Sequence, residues 1–184
     1  MARGTFFLIV GPSGAGKDSL IQGAATALSK NENYVFAKRV ITRGPDPERE
    51  SHESVAAAEF VKRQKAKAFM LTWRVYDTDY GIPAPYNDDL SAGRHVVANV
   101  SRGVVGDAVA HFRPASVIQI TAPPPILEYR LNARDDISHL EERLARTVML
   151  PDGISVNHLL NTKNVETGVG RLVSLLETLA KADP

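Results

Sequence analysis

The residues best suited to chemistry stand near the start of the chain. Gly11-Pro12-Ser13-Gly14-Ala15-Gly16-Lys17 keeps the G-x-x-x-x-G-K spacing of a phosphate-binding loop. Glycines at this spacing let the backbone turn its N–H groups inward as a cradle for phosphate oxygens, and the lysine adds a compact positive charge. A helix beginning at the end of the loop would present its positive N-terminus to the same oxygens. Asp18 and Ser19 follow. Asp18 occupies the position where a serine or threonine hydroxyl normally holds magnesium. Two readings of it stay open: an anionic metal partner in an unusual place, or a residue that merely favours the positive helix end while Ser19 faces the metal.

Further cations lie downstream. Arg39, Thr42 and Arg43, with Lys38 beside them, follow a stretch that reads as the second strand. Arginine forks suit phosphate because their planar donors engage two oxygens at once, and this segment leaves the same sheet end as the loop, a place for an acceptor phosphate. Arg130 and Arg134 stand at i,i+4 spacing, and Arg143 and Arg146 at i,i+3, flanking the apolar stripe of Leu140, Leu144 and Val148. Phosphoryl transfer calls for cations over the migrating group, and a hinged arginine-bearing lid supplies them while excluding water. The alternative is surface pairing with Glu128, Glu141 and Glu142. His52-Glu53 lacks HExxH spacing and reads as a substrate-loop or solvated pair. Asp77 and Asp79 are either ligand-binding or simple turn formers before Tyr80-Gly81. His95, His111, His139 and His158 read as structural, and Trp73 as core. The segment Asn99-Val100-Ser101-Arg102-Gly103 ends an apolar strand without the acid that phosphate-loop enzymes often place there. On the first of the two readings of Asp18, it is the displaced acid; on the second, it only favours the helix end.

The elements that must position these residues alternate. Phe6–Val10 is a continuous apolar run of a buried strand, and Leu20, Ile21, Ala24, Ala25 and Leu28 recur at helical period after Asp18. Tyr34–Thr42 reads as one strand and Arg43–Ser54, with Pro45 and Pro47, as a polar loop. Ala56–Gln64 reads as a helix with Ala57, Phe60 and Val61 on one face, Ala68–Tyr76 as extended, and Asp77–Gly81 as a turn. Next come a helix at Asn87–Ala92, a strand at His95–Val100, a helix through Val105, Ala108, Val109 and Phe112, a strand at Ser116–Thr121 and a helix at Pro124–Arg134. Ser138-His139-Leu140-Glu141 matches a capping box that starts a helix running to Val148. Ser155–Leu160 is the last strand. A terminal amphipathic helix follows from Val165 to Leu179, in which Gly168 and Gly170 each cost roughly 1 kcal/mol relative to alanine. Strands alternating with helices specify an α/β fold: a parallel sheet with helices on both faces, right-handed crossovers and a ligand crevice at the carboxyl ends of the strands.

Composition narrows the function classes. At 184 residues the chain is of single-domain length, and a formal net charge of +1 argues against wholesale nucleic-acid or membrane binding. There is no cysteine, hence no disulfide framework, thiol catalysis or zinc-thiolate site. The first apolar run is too short for a signal-peptide core or a membrane span, so a cytoplasmic protein is expected.

The loop, Arg39-x-x-Thr42-Arg43, Tyr80-Gly81 and the segment from Arg130 to Arg146 resemble the guanylate kinase-like branch of the nucleoside monophosphate kinases over nearly the whole chain. More narrowly, Gly16-Lys17-Asp18-Ser19-Leu20, Arg39-Val40-Ile41-Thr42-Arg43, His52-Glu53, Tyr80-Gly81-Ile82-Pro83 and Asn99-Val100-Ser101-Arg102-Gly103 are similar to the ribose 1,5-bisphosphate phosphokinases, in which aspartate after the loop lysine is typical. That resemblance implies a P-loop kinase with a five-stranded parallel sheet, one domain over 1–184 with a small substrate subdomain at about 39–82 and a short lid at about 130–146. It implies ATP and Mg2+, the small-molecule substrate ribose 1,5-bisphosphate, and a place in phosphonate metabolism making 5-phosphoribosyl 1-diphosphate. Gly11 to Ser19 and Asn161 would bind the nucleotide, with adenine near Arg134 and the loop from Asn161 to Lys163. Asp18 and Ser19 would hold the metal. Lys17, Asp18, Arg134, Arg143 and Arg146 would be catalytic, and Arg39, Thr42, Arg43, Tyr80, Ser101 and Arg102 would bind the acceptor. Oligomeric state is open, a homodimer included. The rivals are a nucleoside monophosphate kinase, guanylate kinase above all, and a non-catalytic guanylate kinase-like binding module. The loop Glu48-Arg49-Glu50-Ser51-His52-Glu53 offers no match to guanine-reading side chains, and intact Gly16-Lys17 disfavours the module.

Overall fold

A computed structural model describes residues 2–44, 52–132 and 150–182. The chain runs β1 (Phe6–Val10), α1 (Lys17–Ala27), β2 (Tyr34–Phe36), β3 (Val40–Ile41), β4 (Glu53–Ser54), α2 (Ala57–Lys65), β5 (Phe69–Val75), β6 (Thr78–Pro83), α3 (Pro85–Ser91) and β7 (His95–Asn99). A 3-10 turn at Arg102–Val104 leads into α4 (Val105–His111), β8 (Ala115–Thr121), α5 (Pro124–Asn132), β9 (Val156–Leu160) and α6 (Val165–Ala182). Five strands form a parallel sheet in the order β2-β7-β1-β8-β9. The central β1 is buried along its whole length, as an uninterrupted apolar run in a doubly covered parallel sheet should be. Because side chains alternate across a strand, Phe6, Leu8 and Val10 enter one core with Val96, Ala98, Val105 and Ala108. Phe7 and Ile9 enter the other with Leu20, Ala24, Leu172 and Leu176.

A second sheet, β4-β3-β6-β5, is built from the segment between β2 and α3. Its existence corrects the reading of Tyr34–Thr42 as one strand. Tyr34–Phe36 pairs with β7, and the Ala37 N–H still reaches the Val97 carbonyl. The Lys38 N–H then turns to the Tyr86 hydroxyl at 2.9 Å, and Val40–Ile41 pairs with β6 instead. Only Lys38 and Arg39 separate the two apolar stretches, so in sequence they read as one strand although the chain changes sheet there. The expected turn over Asp77–Gly81 is also shorter than read. Val75 pairs with Thr78, leaving a two-residue connection in which Tyr76 takes the positive φ of 51° that such tight hairpins demand. In α2, Val61 is 44% exposed while Phe60 is buried and stacks on Phe69 of the small sheet. Arg63 ties α2 to β4 by donating to Glu59 and Glu53 at 2.9 and 2.6 Å, and its hydrogen bond holds the Glu59 carboxyl below the usual range. The expected helix from Ser138 to Val148, with its capping box, lies outside the described residues.

The two glycines of α6 are not equivalent. A Cβ on Gly168 would lie 2.7 Å from Leu20 Cδ2 and 3.1 Å from Asn161 Oδ1, whereas one on Gly170 would meet nothing within 4 Å. Close packing of α6 on α1 therefore overrides helix propensity at Gly168. Gly170→Ala should raise unfolding stability by about 0.5–1 kcal/mol. Gly168→Ala should lower it by about 1–3 kcal/mol through overpacking. Urea denaturation at constant m-value checks both signs, and equal shifts would contradict the packing argument.

Candidate functional site

The phosphate loop occupies the carboxyl end of the parallel sheet. At Gly11 φ is 147°, and a Cβ there would lie 2.0 Å from the Ile120 carbonyl oxygen, so only glycine lets the chain pass over β8. Gly16, at φ 85°, sits immediately before α1, and among the described residues no side-chain hydrogen bond caps that helix. The helix N-terminus is thereby kept for an external acceptor. Lys17 lies along the loop, its Nζ donating to the carbonyls of Gly11 and Pro12 at 3.0 and 2.9 Å. Behind the loop, the buried Asn161 at the end of β9 donates from Nδ2 to the Ala15 carbonyl at 2.9 Å. Asn161 therefore holds the loop's shape. From α5, Arg130 brings Nη1 to 3.5 Å from the Gly14 carbonyl.

A second group of side chains meets the loop from the end of β7 and from the small sheet. Asn99 ends β7 and donates from Nδ2 to Asp18 Oδ1 at 2.7 Å. Arg39, whose side chain is 11% exposed, places Nη2 at 3.7 Å from the same oxygen and Nη1 at 3.3 Å from the Asn99 carbonyl. Its guanidinium carbon lies 5.6 Å from the centroid of the Tyr80 ring. Tyr80 stacks in turn on Trp73, its cross-strand partner in β5, with centroids 5.4 Å apart and planes at 4°. Trp73 also packs against the apolar core, as expected of it. A continuous column thus runs from the core through Trp73 and Tyr80 to Arg39, and Arg39 reaches the first turn of α1.

The structure brings Lys17, Asp18, Arg39 and Tyr80 together. Thr42 belongs to the framework: its hydroxyl accepts from the Asp79 N–H at 2.8 Å and its own N–H reaches the Asp79 carbonyl, which prolongs the β3–β6 pairing. Arg43 is exposed where the chain leaves β3. Ser101 and Arg102 are half-buried just past β7, at the strand end that also carries Asn99. Arg134, Arg143 and Arg146 lie outside the described residues. Of the two readings of His52-Glu53, the solvated one does not hold for His52, which is 9% exposed with Nε2 donating to the Gly44 carbonyl at 3.1 Å, while Glu53 is exposed. Asp77 and Asp79 each approach Arg74 to 3.9 Å. His95 is structural, its Nδ1 accepting from the Thr5 N–H.

Two contributors escaped the sequence. Arg130 was visible only as one of a spaced pair, and Asn99 only as a missing carboxylate. Among the described residues no three His, Cys, Asp or Glu side chains cluster as a metal cage. The donor set of one carboxylate and one hydroxyl, Asp18 and Ser19, fits a magnesium ion, which takes few protein oxygens and completes its shell with phosphates and water. No helix among the described residues is long and apolar enough to cross a membrane.

No family model matches the chain. It is 42% identical over 184 residues to the bifunctional ribose 1,5-bisphosphokinase-thymidine phosphorylase of Cupriavidus pinatubonensis, an alignment covering 97% of this chain and 30% of that protein. The chain therefore spans less than a third of the length of such bifunctional relatives. It is 47% identical over 145 residues to the ribose 1,5-bisphosphate phosphokinase of Acidiphilium cryptum, covering 78% of this chain and 77% of the other. With the ribose 1,5-bisphosphate phosphokinase of Methylobacterium radiotolerans it shares 38% identity over 175 residues, covering 94% and 97%. Among solved structures, guanylate kinase from Anaplasma phagocytophilum matches with a TM-score of 0.69 at 18% identity, over 97% of this chain and 87% of that one, a likeness of fold.

Proposed function

Because the chain belongs to the ribose 1,5-bisphosphate phosphokinase family, we propose that it transfers the γ-phosphoryl group of ATP to the 1-phosphate of ribose 1,5-bisphosphate, giving 5-phosphoribosyl 1-diphosphate and ADP. The observation that carries this reading is the position of Arg39, which contacts the phosphate loop's Asp18 on one side and the Tyr80 ring of the small sheet on the other. A fork placed there faces a second phosphate beside the donor phosphates.

The attacking atom is an oxygen of the acceptor's 1-phosphate, already ionised, so no general base is required. A new P–O bond forms to the γ-phosphorus as its bond to the β–γ bridging oxygen breaks, and the electron pair leaves with ADP. Catalysis then reduces to alignment and charge neutralisation. The loop amides and Lys17 hold the donor phosphates. Asp18 and Ser19 would hold magnesium, which when bound neutralises the β- and γ-phosphate oxygens. In the same reading Thr42, Arg43, Tyr80, Ser101 and Arg102 border the acceptor, and Asn161 supports the nucleotide through the loop. Residues at about 39–82 act as the substrate subdomain, and Arg134, Arg143 and Arg146 cover the transferred group from a lid at about 130–146. The reading places the protein in the cytoplasm, in phosphonate metabolism.

Coupled ADP release with ribose 1,5-bisphosphate, GMP and AMP in parallel tests the proposal. Turnover confined to ribose 1,5-bisphosphate is expected. Turnover of GMP alone would replace this reading with guanylate kinase.

A further inference from the structure

The end of β7 presents a neutral amide where the chemistry of the site would be served by an acid, and that amide is bonded to the acid that stands elsewhere. Asn99 Nδ2 lies 2.7 Å from Asp18 Oδ1, in the short range of hydrogen bonds to a charged acceptor. Asn99 is 9% exposed and in register with Ile9 of β1, so its amide projects from a buried strand end beside the strand that leads into the loop. Among the described residues, both contacts of the Asp18 carboxylate fall on Oδ1, one from Asn99 and one from Arg39. Asn99 and Arg39 thereby hold one oxygen of the carboxylate at the first turn of α1.

We propose that Asn99 is the positioning residue that orients Asp18 toward the nucleotide-bound metal: the charge has moved from the strand end to the loop, and the strand end has become its neutral holder. The inference rests on the reading of Asp18 as the metal's partner. An aspartate at position 99 would set two anions within hydrogen-bond distance, repelling each other most strongly in a part-buried setting. An amide supplies a donor with no charge of its own. The Asn99 backbone carbonyl meanwhile accepts from Arg39, so one residue fixes both the carboxylate and the guanidinium beside it. Such outer partners of a metal-binding carboxylate set its geometry and therefore its affinity.

The test is titration of Mn2+ in the presence of ADP, with free Mn2+ read by electron paramagnetic resonance, on the wild type and on Asn99→Leu, which keeps the branched shape and removes the donor. Mn2+ affinity is expected to fall by about 10- to 100-fold, with metal-free ADP affinity unchanged. A folded Asn99→Leu that binds Mn2+ as the wild type does overturns the inference. Should Asn99→Leu fail to fold by circular dichroism, the exchange variant Asp18→Asn/Asn99→Asp decides: it rebuilds the hydrogen bond with the charge on the strand. It is expected to bind Mn2+ better than Asp18→Asn alone, and no recovery overturns the proposal. If Asp18→Asn itself binds Mn2+ normally, the reading of Asp18 falls as well, which separates the two failures. Loss of ribose 1,5-bisphosphate turnover in the wild type would retire the substrate assignment without touching this outcome.

Discussion

Replacing Lys17 with methionine is expected to lower kcat/KM by about a thousandfold or more, the loss that follows removal of one preorganised charge from a phosphoryl-transfer site. Lys17 Nζ is already fixed along the phosphate loop by the Gly11 and Pro12 carbonyls, so no reorganisation is needed when the donor arrives. Methionine keeps most of the stem and none of the charge. The two carbonyls that lose a donor border an open loop where water can replace it, so stability should change by no more than about 1 kcal/mol. Steady-state ADP release alongside thermal melting makes the check. A variant that keeps a tenth of wild-type activity would show that Lys17 does not act on the donor phosphates.

The second large effect is expected at Arg39. If Arg39 binds the acceptor phosphate as proposed, Arg39→Ala should reduce kcat/KM for the acceptor by about a hundredfold or more, because two charge-assisted hydrogen bonds, each contributing about 1.5–3 kcal/mol, would be lost together. Arg39→Lys should recover only part of this loss. A lysine restores the charge, but not the planar fork that lies over Tyr80 while reaching the Asn99 carbonyl and Asp18. Trp73 supplies an independent readout, since it is the chain's single tryptophan and stacks directly behind Tyr80. Adding ribose 1,5-bisphosphate to the ADP-bound wild type should change its emission, and that change should vanish in Arg39→Ala. An acceptor KM in Arg39→Ala equal to the wild-type value would place the acceptor phosphate elsewhere.

Much of the framework was legible because it is written in local terms. Phe6–Val10 is apolar without interruption because both faces of β1 are covered, and the loop glycines stand at a spacing that backbone geometry imposes. The parallel sheet with its crossovers followed from alternation alone. Less legible was anything set by a partner far along the chain. Val40–Ile41 has the same apolar character as Tyr34–Phe36, yet one segment pairs with β6 and the other with β7. Gly168 read as a weak point of a helix and proved to be the place where α6 approaches Leu20 and Asn161.

The same division runs through the site. Sequence by itself determined a phosphate-binding loop with an aspartate after its lysine, at the carboxyl end of a parallel sheet, because those features depend on residue types and short spacings. Only the tertiary structure decided what that aspartate touches. Asn99 lies 81 positions away, and its amide meets Asp18 because β7 pairs beside β1, which leads into the loop. Arg39 meets the same carboxylate because the chain leaves the large sheet at Lys38, before the arginine is reached. Contacts of this kind depend on which strands become neighbours, and strand neighbourhood is decided by the packing of the whole sheet rather than by any window of sequence.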